Sequence, residues 1–205
     1  MIVSHKHKYI YVKTSKTAST STEIFFENLS FSHEPKHVKP QLINKEGIVG
    51  YRGSSEKSKW LSHHGLHIIK KLLNNDKMYN EYFKFSVTRN PWDRVVSAYH
   101  HFGPGMSFKG YLLKKAKLKT IKWYFRDYID DVYFIRYENL KKDIEYVCKK
   151  LGLDYDMNNL GKYKNEYRKI LKHKHYTEYY DKETKQIVAE RYAYDIKYFG
   201  YEFGG

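Results

Sequence analysis

The amino-acid sequence predicts an α/β fold: a single domain of 205 residues with a mainly parallel β-sheet flanked by helices. Three short apolar and aromatic runs are typical of buried strands, and segments with helical spacing of apolar residues alternate with them. Strands separated by helices pair in parallel, because the chain crosses back over the sheet before the next strand begins. Ligands of such sheets bind beyond the carboxyl ends of the strands. Functional side chains are therefore expected directly after each run.

The apolar pattern places the individual elements. Strands are predicted at residues 8–13, 83–88 and 132–137, with a further short strand at 47–51. Helices are predicted at residues 20–29, 65–73, 91–102 and 138–151, where apolar positions recur three or four residues apart. The single cysteine, Cys148, lies on the apolar side of the last helix, which predicts a buried and unreactive thiol. One cysteine also excludes an internal disulfide and a cysteine-rich zinc site.

The charge of the chain indicates an anionic partner. The sequence has 38 Lys and Arg against 23 Asp and Glu, a formal net charge of +15. A nucleic acid, a nucleotide, a polyanionic sugar or a membrane surface fits this sign. Lysines concentrate in residues 107–122 and 162–174, and each run is either a solvated face or a binding surface. With no signal peptide and no long apolar run, a cytoplasmic protein without a membrane span is expected.

The turn after the first strand has the chemistry of a phosphate site. Small hydroxyl residues let the backbone close around an anion, the helix N-terminus points at it, and Lys16 adds a positive charge. This predicts a P-loop-like phosphate-binding loop made of Lys16, Thr17, Ala18, Ser19, Thr20 and Ser21. The alternative is a plain capped helix, with Ser19 or Thr20 as N-cap and Glu23 completing a capping box. A Walker A pattern is absent, which argues against ordinary ATP and GTP enzymes, nucleotide kinases included.

A second motif joins the strand at 83–88 to the helix that follows it. Asn90 suits an N-cap and Pro91 the first helical position, so Arg89 ends the strand and Ser97 lies about two turns into the helix. Arg89 can grip a phosphate as a planar fork, and Ser97 can donate its hydroxyl. The alternative is a structural Arg89 paired with Asp93 beside a small, buried Ser97.

Together the two motifs resemble sulfotransferases that use 3′-phosphoadenosine 5′-phosphosulfate (PAPS). The string KTASTS at residues 16–21 is similar to the 5′-phosphosulfate loop of the family, above all of the Golgi carbohydrate sulfotransferases of heparan and chondroitin type. The segment from Arg89 to Ser97 is similar to its 3′-phosphate motif. The resemblance continues through residues 134–140 and 175–201 and is weak only at 31–59. Two departures are Ser15, where the family usually has Pro, and the lack of an N-terminal membrane anchor.

The resemblance implies an enzyme that moves a sulfuryl group from PAPS to a hydroxyl or amine of an acceptor. A carbohydrate is the expected acceptor, adenosine 3′,5′-bisphosphate is the expected product, and no metal is required. Lys16 is implied as the catalytic residue that stabilises charge, with the backbone of residues 17–21 on the 5′-phosphate. Arg89 and Ser97 are implied as the residues that bind the 3′-phosphate.

A hydroxyl acceptor also needs a general base, which the family places ahead of the 3′-phosphate strand. Imidazole suits this role because its pKa lies near working pH. His63 fits best by its spacing to the following helix, His64 is second and His67 is third. The alternatives are a histidine that caps the helix and a metal pair formed by His63 and His67.

A rival hypothesis is a non-catalytic RNA- or polyanion-binding protein on the same fold, supported by the net charge and the lysine runs. Nucleic acid is the less expected partner, since the sequence has neither an RNP-type aromatic motif nor a zinc finger. For an enzyme, the acceptor site is expected among residues 31–62 and the lysine-rich stretch 107–122. These lysines suit an anionic glycan as well as solvent.

Overall fold

The computed structural model describes residues 1–32, 41–53, 58–114, 118–161 and 174–205. In these ranges the chain forms an α/β structure around one six-stranded sheet. The strands are β1 (Ile2–Ser4), β2 (Tyr9–Val12), β3 (Leu42–Asn44), β4 (Gly47–Val49), β5 (Phe83–Thr88) and β6 (Val132–Arg136). The helices are α1 (Ser19–Ser30), α2 (Leu66–Leu73), α3 (Asp76–Glu81), α4 (Pro91–Phe102), α5 (Phe108–Lys114), α6 (Ile121–Phe125), α7 (Leu140–Leu151), α8 (Lys182–Arg191) and α9 (Ala193–Phe199).

The sheet is mixed, so the prediction of a mainly parallel sheet is wrong. Its strand order is β3-β4-β1-β2-β5-β6. The three strands predicted from the sequence, β2, β5 and β6, pair in parallel. The other pairings are antiparallel, between β1 and β2, β1 and β4, and β3 and β4. Only residues 5–8 connect β1 to β2 and only 45–46 connect β3 to β4, and connections this short permit antiparallel pairing alone.

Helices cover both faces of the sheet, as predicted. Side chains alternate along β2, so that Ile10 and Val12 join the apolar cluster on one face while Tyr9 and Tyr11 join the cluster on the other. The first cluster includes residues of α2, α4, α6, α8 and α9, and the second includes residues of α1 and α7. The four predicted helices correspond to α1, α2, α4 and α7. A 3₁₀ turn at Tyr137–Asn139 takes the place of the first residues predicted for the last of them.

Two expectations about the chain are tested by this part of the structure. Cys148 is buried, which confirms the predicted burial, and burial together with Glu145 raises the pKa of its thiol to about 12, as suits an unreactive cysteine. No helix in the described ranges is long and apolar enough to cross a membrane. The basic run at 162–174 lies outside the described residues except for Lys174, as do 33–40, 54–57 and 115–117 of the other variable segments.

Candidate functional site

A cleft of about 520 Å³ lies at the carboxyl ends of β2, β5 and β6. Its walls come from the loop after β2, the first turn of α1, α4 and the segments that follow β5 and β6. All of the residues predicted to contact phosphate line it, and so does the first candidate base: Lys16, Thr17, Ala18, Ser19, Thr20, Ser21, Arg89, Ser97 and His63. Residues from segments far apart in the sequence therefore meet in one cavity.

The loop after β2 is bent by left-handed backbone at two residues that are not glycine. Lys16 has φ of 65° and Ala18 has φ of 59°. Left-handed residues within a turn aim successive N–H groups to one side, which creates a concavity for an anion. Ala18 is also the N-cap of α1, and its side chain makes no capping hydrogen bond. The first N–H groups of α1 are thus left for a ligand.

The capped-helix interpretation of this segment is wrong. Neither Ser19 nor Thr20 is the N-cap, since the helix begins one residue earlier than that pattern requires, after Ala18. Glu23 does not fold back on the helix end, because its carboxylate is occupied by Lys13, whose Nζ lies 2.7 Å from Oε2. The hydroxyl-rich turn is therefore not used to cap its own helix.

Side chains tie the loop to the neighbouring strand β5. The Thr14 hydroxyl donates to the carbonyl of Val87 at 2.6 Å and lies 2.9 Å from the Thr17 hydroxyl. Arg89 Nη1 donates to the carbonyl of Lys16 at 3.3 Å. These contacts connect the loop to β5 and to Arg89, and so hold its position relative to the second motif.

The second motif forms the α4 start that the sequence predicts. Asn90 caps α4 by accepting a hydrogen bond from the N–H of Trp92, and Pro91 is the first helical residue. Arg89 Nε donates to Asp93 Oδ2 at 2.7 Å, which is the pairing that the structural alternative expects. Arg89 Nη2 also lies 2.6 Å from this oxygen, as an ion-pair contact, and among the described residues it makes no aligned hydrogen bond.

The structural and the phosphate-binding interpretations of Arg89 are compatible, because Arg89 lines the cleft while it is paired with Asp93. Asp93 fixes the guanidinium, which also packs 4.1 Å from the centre of the Tyr137 ring. Ser97 is half-buried beside it and donates to no acceptor among the described residues. A cationic side chain and a hydroxyl donor in the wall of one cavity suit an anionic ligand.

His63 is the one of the three candidate histidines that lines the cleft. Its Nδ1 lies 3.0 Å from the carbonyl of Lys13, and since a carbonyl can only accept, Nδ1 carries the proton and Nε2 keeps its lone pair. The ring is exposed on its outer side. Desolvation of its protein-facing side, followed by the charge of Lys13, lowers the pKa of His63 to about 4.

The other two histidines lie elsewhere. His64 Nδ1 is 3.5 Å from the N–H of Leu61, and the His67 ring packs edge-on against Trp123. Because α2 begins at Leu66, His63 precedes the helix, and the i, i+4 helical spacing that suggested a metal pair with His67 is not present. The described ranges contain no group of three or more His, Cys, Asp and Glu able to hold a metal ion.

We expect the pKa of His63 to lie below its ordinary value of 6.5, so that the ring is neutral at pH 7, because its protein-facing side is desolvated and Lys13 lies close to it. The measurement is a pH titration of the imidazole carbon-bound protons by NMR, with His63→Asn to assign the signal. Titration of that signal near 6.5 would contradict the argument.

A buried cluster of charged groups, centred on Glu23, holds the loop after β2 in place. Glu23 is fully buried on α1 and accepts hydrogen bonds from Lys13 at 2.7 Å, Arg52 at 2.6 Å, Ser62 at 3.2 Å and the amino group of Met1 at 2.5 Å. Burial alone would raise the pKa of Glu23, but the Met1 amino group, Lys13 and Arg52 together hold it well below its ordinary range. The cluster therefore joins both ends of the phosphate loop, at Lys13 and in α1.

Sequence reasoning missed several residues of the site. Tyr137, Glu138 and Lys141 line the cleft from the segment after β6. Glu138 accepts a hydrogen bond from the N–H of Asn90 at 2.7 Å, which links the ends of β5 and β6. These residues follow a parallel strand, and that position could have identified them from the sequence. Arg94 does not line the cleft, but its side chain donates to the carbonyl of Ser15 next to Lys16, a contact 79 residues away along the chain that no local pattern indicates.

A neighbouring cavity of about 590 Å³ shares Lys16, Ser97 and Glu138 with the cleft and extends toward His175 and Tyr176. The described lysines of the stretch 107–122 line neither cavity. One of them, Lys109, instead pairs with Glu183 at 2.5 Å. The described residues thus give no support to the lysine-rich stretch as an acceptor site.

Comparison with protein families finds a match to the model described as the sulfotransferase family, over residues 1–124. The matched region contains the loop after β2, the histidine segment and the motif from Arg89 to Ser97. No curated protein matches the chain.

Proposed function

The chain belongs to the sulfotransferase family, and on that premise we propose that it transfers a sulfuryl group from PAPS to a hydroxyl or amine of an acceptor, with a carbohydrate as the expected class. The proposal takes residues 1–205 as one sulfotransferase domain. A single observation carries it. The uncapped start of α1 with Lys16, the pair Arg89 and Ser97, and the imidazole of His63 line one cleft.

The residues present fit the two phosphates of the donor. In the proposal, the N–H groups of residues 17–21 bind the 5′-phosphosulfate, since the helix N-terminus and the left-handed turn favour an anion there. In the proposal, Arg89 contributes positive charge and Ser97 its hydroxyl to the 3′-phosphate, since both line the cleft. The adenosine 3′,5′-bisphosphate product would keep both sets of contacts.

Two side chains account for the chemistry of transfer. The acceptor oxygen or nitrogen attacks sulfur in line, the bond from sulfur to the 5′-phosphate oxygen breaks, and the acceptor proton goes to His63 Nε2. Because Nδ1 already donates to Lys13, Nε2 is the basic atom. Lys16 neutralises the negative charge that grows on the departing 5′-phosphate. No step of this scheme uses a metal ion.

The first test is calorimetric titration with adenosine 3′,5′-bisphosphate against ADP. We expect the bisphosphate to bind about tenfold or more tightly, because charge-assisted hydrogen bonds to the 3′-phosphate are each worth about 1.5–3 kcal/mol. Arg89→Ala and Ser97→Ala should each reduce that preference. Arg136→Ala is the matched control, since Arg136 also ends a parallel strand but its guanidinium donates to the carbonyl of Phe199, away from the cleft.

Equal affinity for the two nucleotides would overturn the assignment of the 3′-phosphate site. Salt-dependent binding to polyanions, with no response to PAPS, would instead favour the non-catalytic polyanion-binding hypothesis.

A further inference from the structure

Ser15, the residue before Lys16, contacts a part of the chain far away in the sequence. A hydrogen bond of 3.0 Å joins its hydroxyl to the hydroxyl of Tyr124 in α6. The Tyr124 ring is fully buried and packs against the rings of Trp123 and Phe125, with centroid distances of 5.0 and 6.2 Å. Because the ring is fixed by the core, its hydroxyl presents a fixed partner to the loop.

Arg94 of α4 binds the backbone carbonyl of Ser15. Its Nε donates to the carbonyl of Ser15 at 2.9 Å, and its Nη2 donates to the carbonyl of Lys119 at 2.8 Å. Its Nη1 lies 3.7 Å from Asp195 of α9. Arg94 is buried, and the planar guanidinium fixes the relative positions of the two carbonyls it bridges. The side chain and the carbonyl of Ser15 are therefore both held by groups outside the loop.

The loop needs such restraint because its backbone is strained. Lys16 and Ala18 adopt left-handed backbone although neither is glycine, which costs energy at each position. Residues in sparsely populated regions keep that conformation only when surrounding contacts over-determine it. The contacts to Ser15 act on the residue adjacent to the first strained position.

We propose that Tyr124 and Arg94 are positioning residues that brace the phosphate loop through Ser15, so that it keeps the left-handed turn required to bind the donor. The proposal rests on the proposed function for the nature of the ligand. Neither residue lines the cleft, so both act through the loop. The Tyr124–Ser15 hydrogen bond is the part that can be removed with least disturbance, because Tyr124→Phe deletes one oxygen from a fixed ring.

The test combines amide hydrogen exchange of the loop with calorimetric titration by adenosine 3′,5′-bisphosphate. Tyr124→Phe and Ser15→Ala are each expected to speed exchange at residues 15–21 and to weaken bisphosphate binding about fivefold, the effect of one lost hydrogen bond. The double variant should show no further loss, because both changes remove the same contact. Tyr79→Phe is the matched control, since the buried Tyr79 donates to Asp131 outside the cleft.

A rescue distinguishes positioning from general stability. Ser15 does not have positive φ, and its N–H donates to no acceptor among the described residues, so Pro can replace it without losing a backbone hydrogen bond. Ser15→Pro restricts the loop by fixing φ instead of by a contact. Added to Tyr124→Phe, it should restore bisphosphate affinity to within about twofold of the wild type, because it replaces most of the lost restraint.

The outcomes separate the two proposals. Unchanged loop exchange in Tyr124→Phe would overturn the brace, whatever the nucleotide does. Faster exchange with unchanged bisphosphate affinity would overturn its role in donor binding. A wild-type protein that fails to bind the bisphosphate would overturn the proposed function, and the exchange measurement would then decide on the brace by itself.

Discussion

Lys16→Met is expected to lower kcat for sulfuryl transfer by about 10²–10³-fold, equivalent to about 2.7–4 kcal/mol, the range found when one preorganised charge-stabilising group is removed. Lys16 lines the same cleft as the uncapped start of α1, and its ammonium lies 5.8 Å from the centre of the Phe102 ring, which lines that cleft too. Methionine keeps a stem of similar length and the same left-handed strain, so the change removes charge and little else.

The measurement is transfer of labelled sulfate from PAPS to the best acceptor in a panel of desulfated heparin, chondroitin and monosaccharide glycosides. Affinity for adenosine 3′,5′-bisphosphate should fall far less than kcat, since under the proposed function residues 17–21, Arg89 and Ser97 would still bind both phosphates. Lys149→Met, on the exposed side of α7, is the matched control. Turnover of the Lys16 variant at the wild-type rate would remove Lys16 from the mechanism.

The parallel half of the fold was predictable because its strands are long enough to show a pattern. β5 has six residues and a nearly continuous buried run, and α4 has clear capping residues at Asn90 and Pro91. β1 and β3 have three residues each, too few for any periodicity to be distinguished from a loop. Because β1 and β3 are not predicted, the hairpins β1–β2 and β3–β4 are not predicted either, and the sheet is expected to be mainly parallel.

The candidate site shows the same difference between residues marked by a local pattern and residues placed by distant contacts. Lys16, Arg89 and Ser97 follow strands in local motifs, and all three line one cleft. The alternative of a capped start of α1 fails because Glu23 is occupied by Lys13 and Arg52, a tertiary contact that outweighs the local capping pattern. The contacts of Arg94 and Tyr124 with Ser15 span 79 and 109 residues along the chain, and no local signal marks such pairs.

Glu23→Gln is expected to destabilise the protein by about 3–5 kcal/mol, because breaking a buried ion pair leaves its partners charged and uncompensated. Glu23 is fully buried, and Lys13 and Arg52 lie within 2.7 Å of its Oε2. For a chain of this size the loss corresponds to a fall in Tm of about 6–20 °C, measured by thermal unfolding. Glu81→Gln, at an exposed carboxylate 4.0 Å from Lys8, should change stability by less than about 0.5 kcal/mol.

The acid dependence of stability gives an independent check on the same carboxylate. Since the pKa of Glu23 in the folded chain lies below its ordinary value of 4.5, the unfolded state binds the proton more readily. The stabilisation is therefore fully present above about pH 4.5 and declines as the pH falls further. Glu23→Gln should flatten this decline, and adding Lys13→Met should recover part of the lost stability by removing the uncompensated charge. If the stability of Glu23→Gln fell with decreasing pH as steeply as that of the wild type, Glu23 would not be the source of the acid dependence.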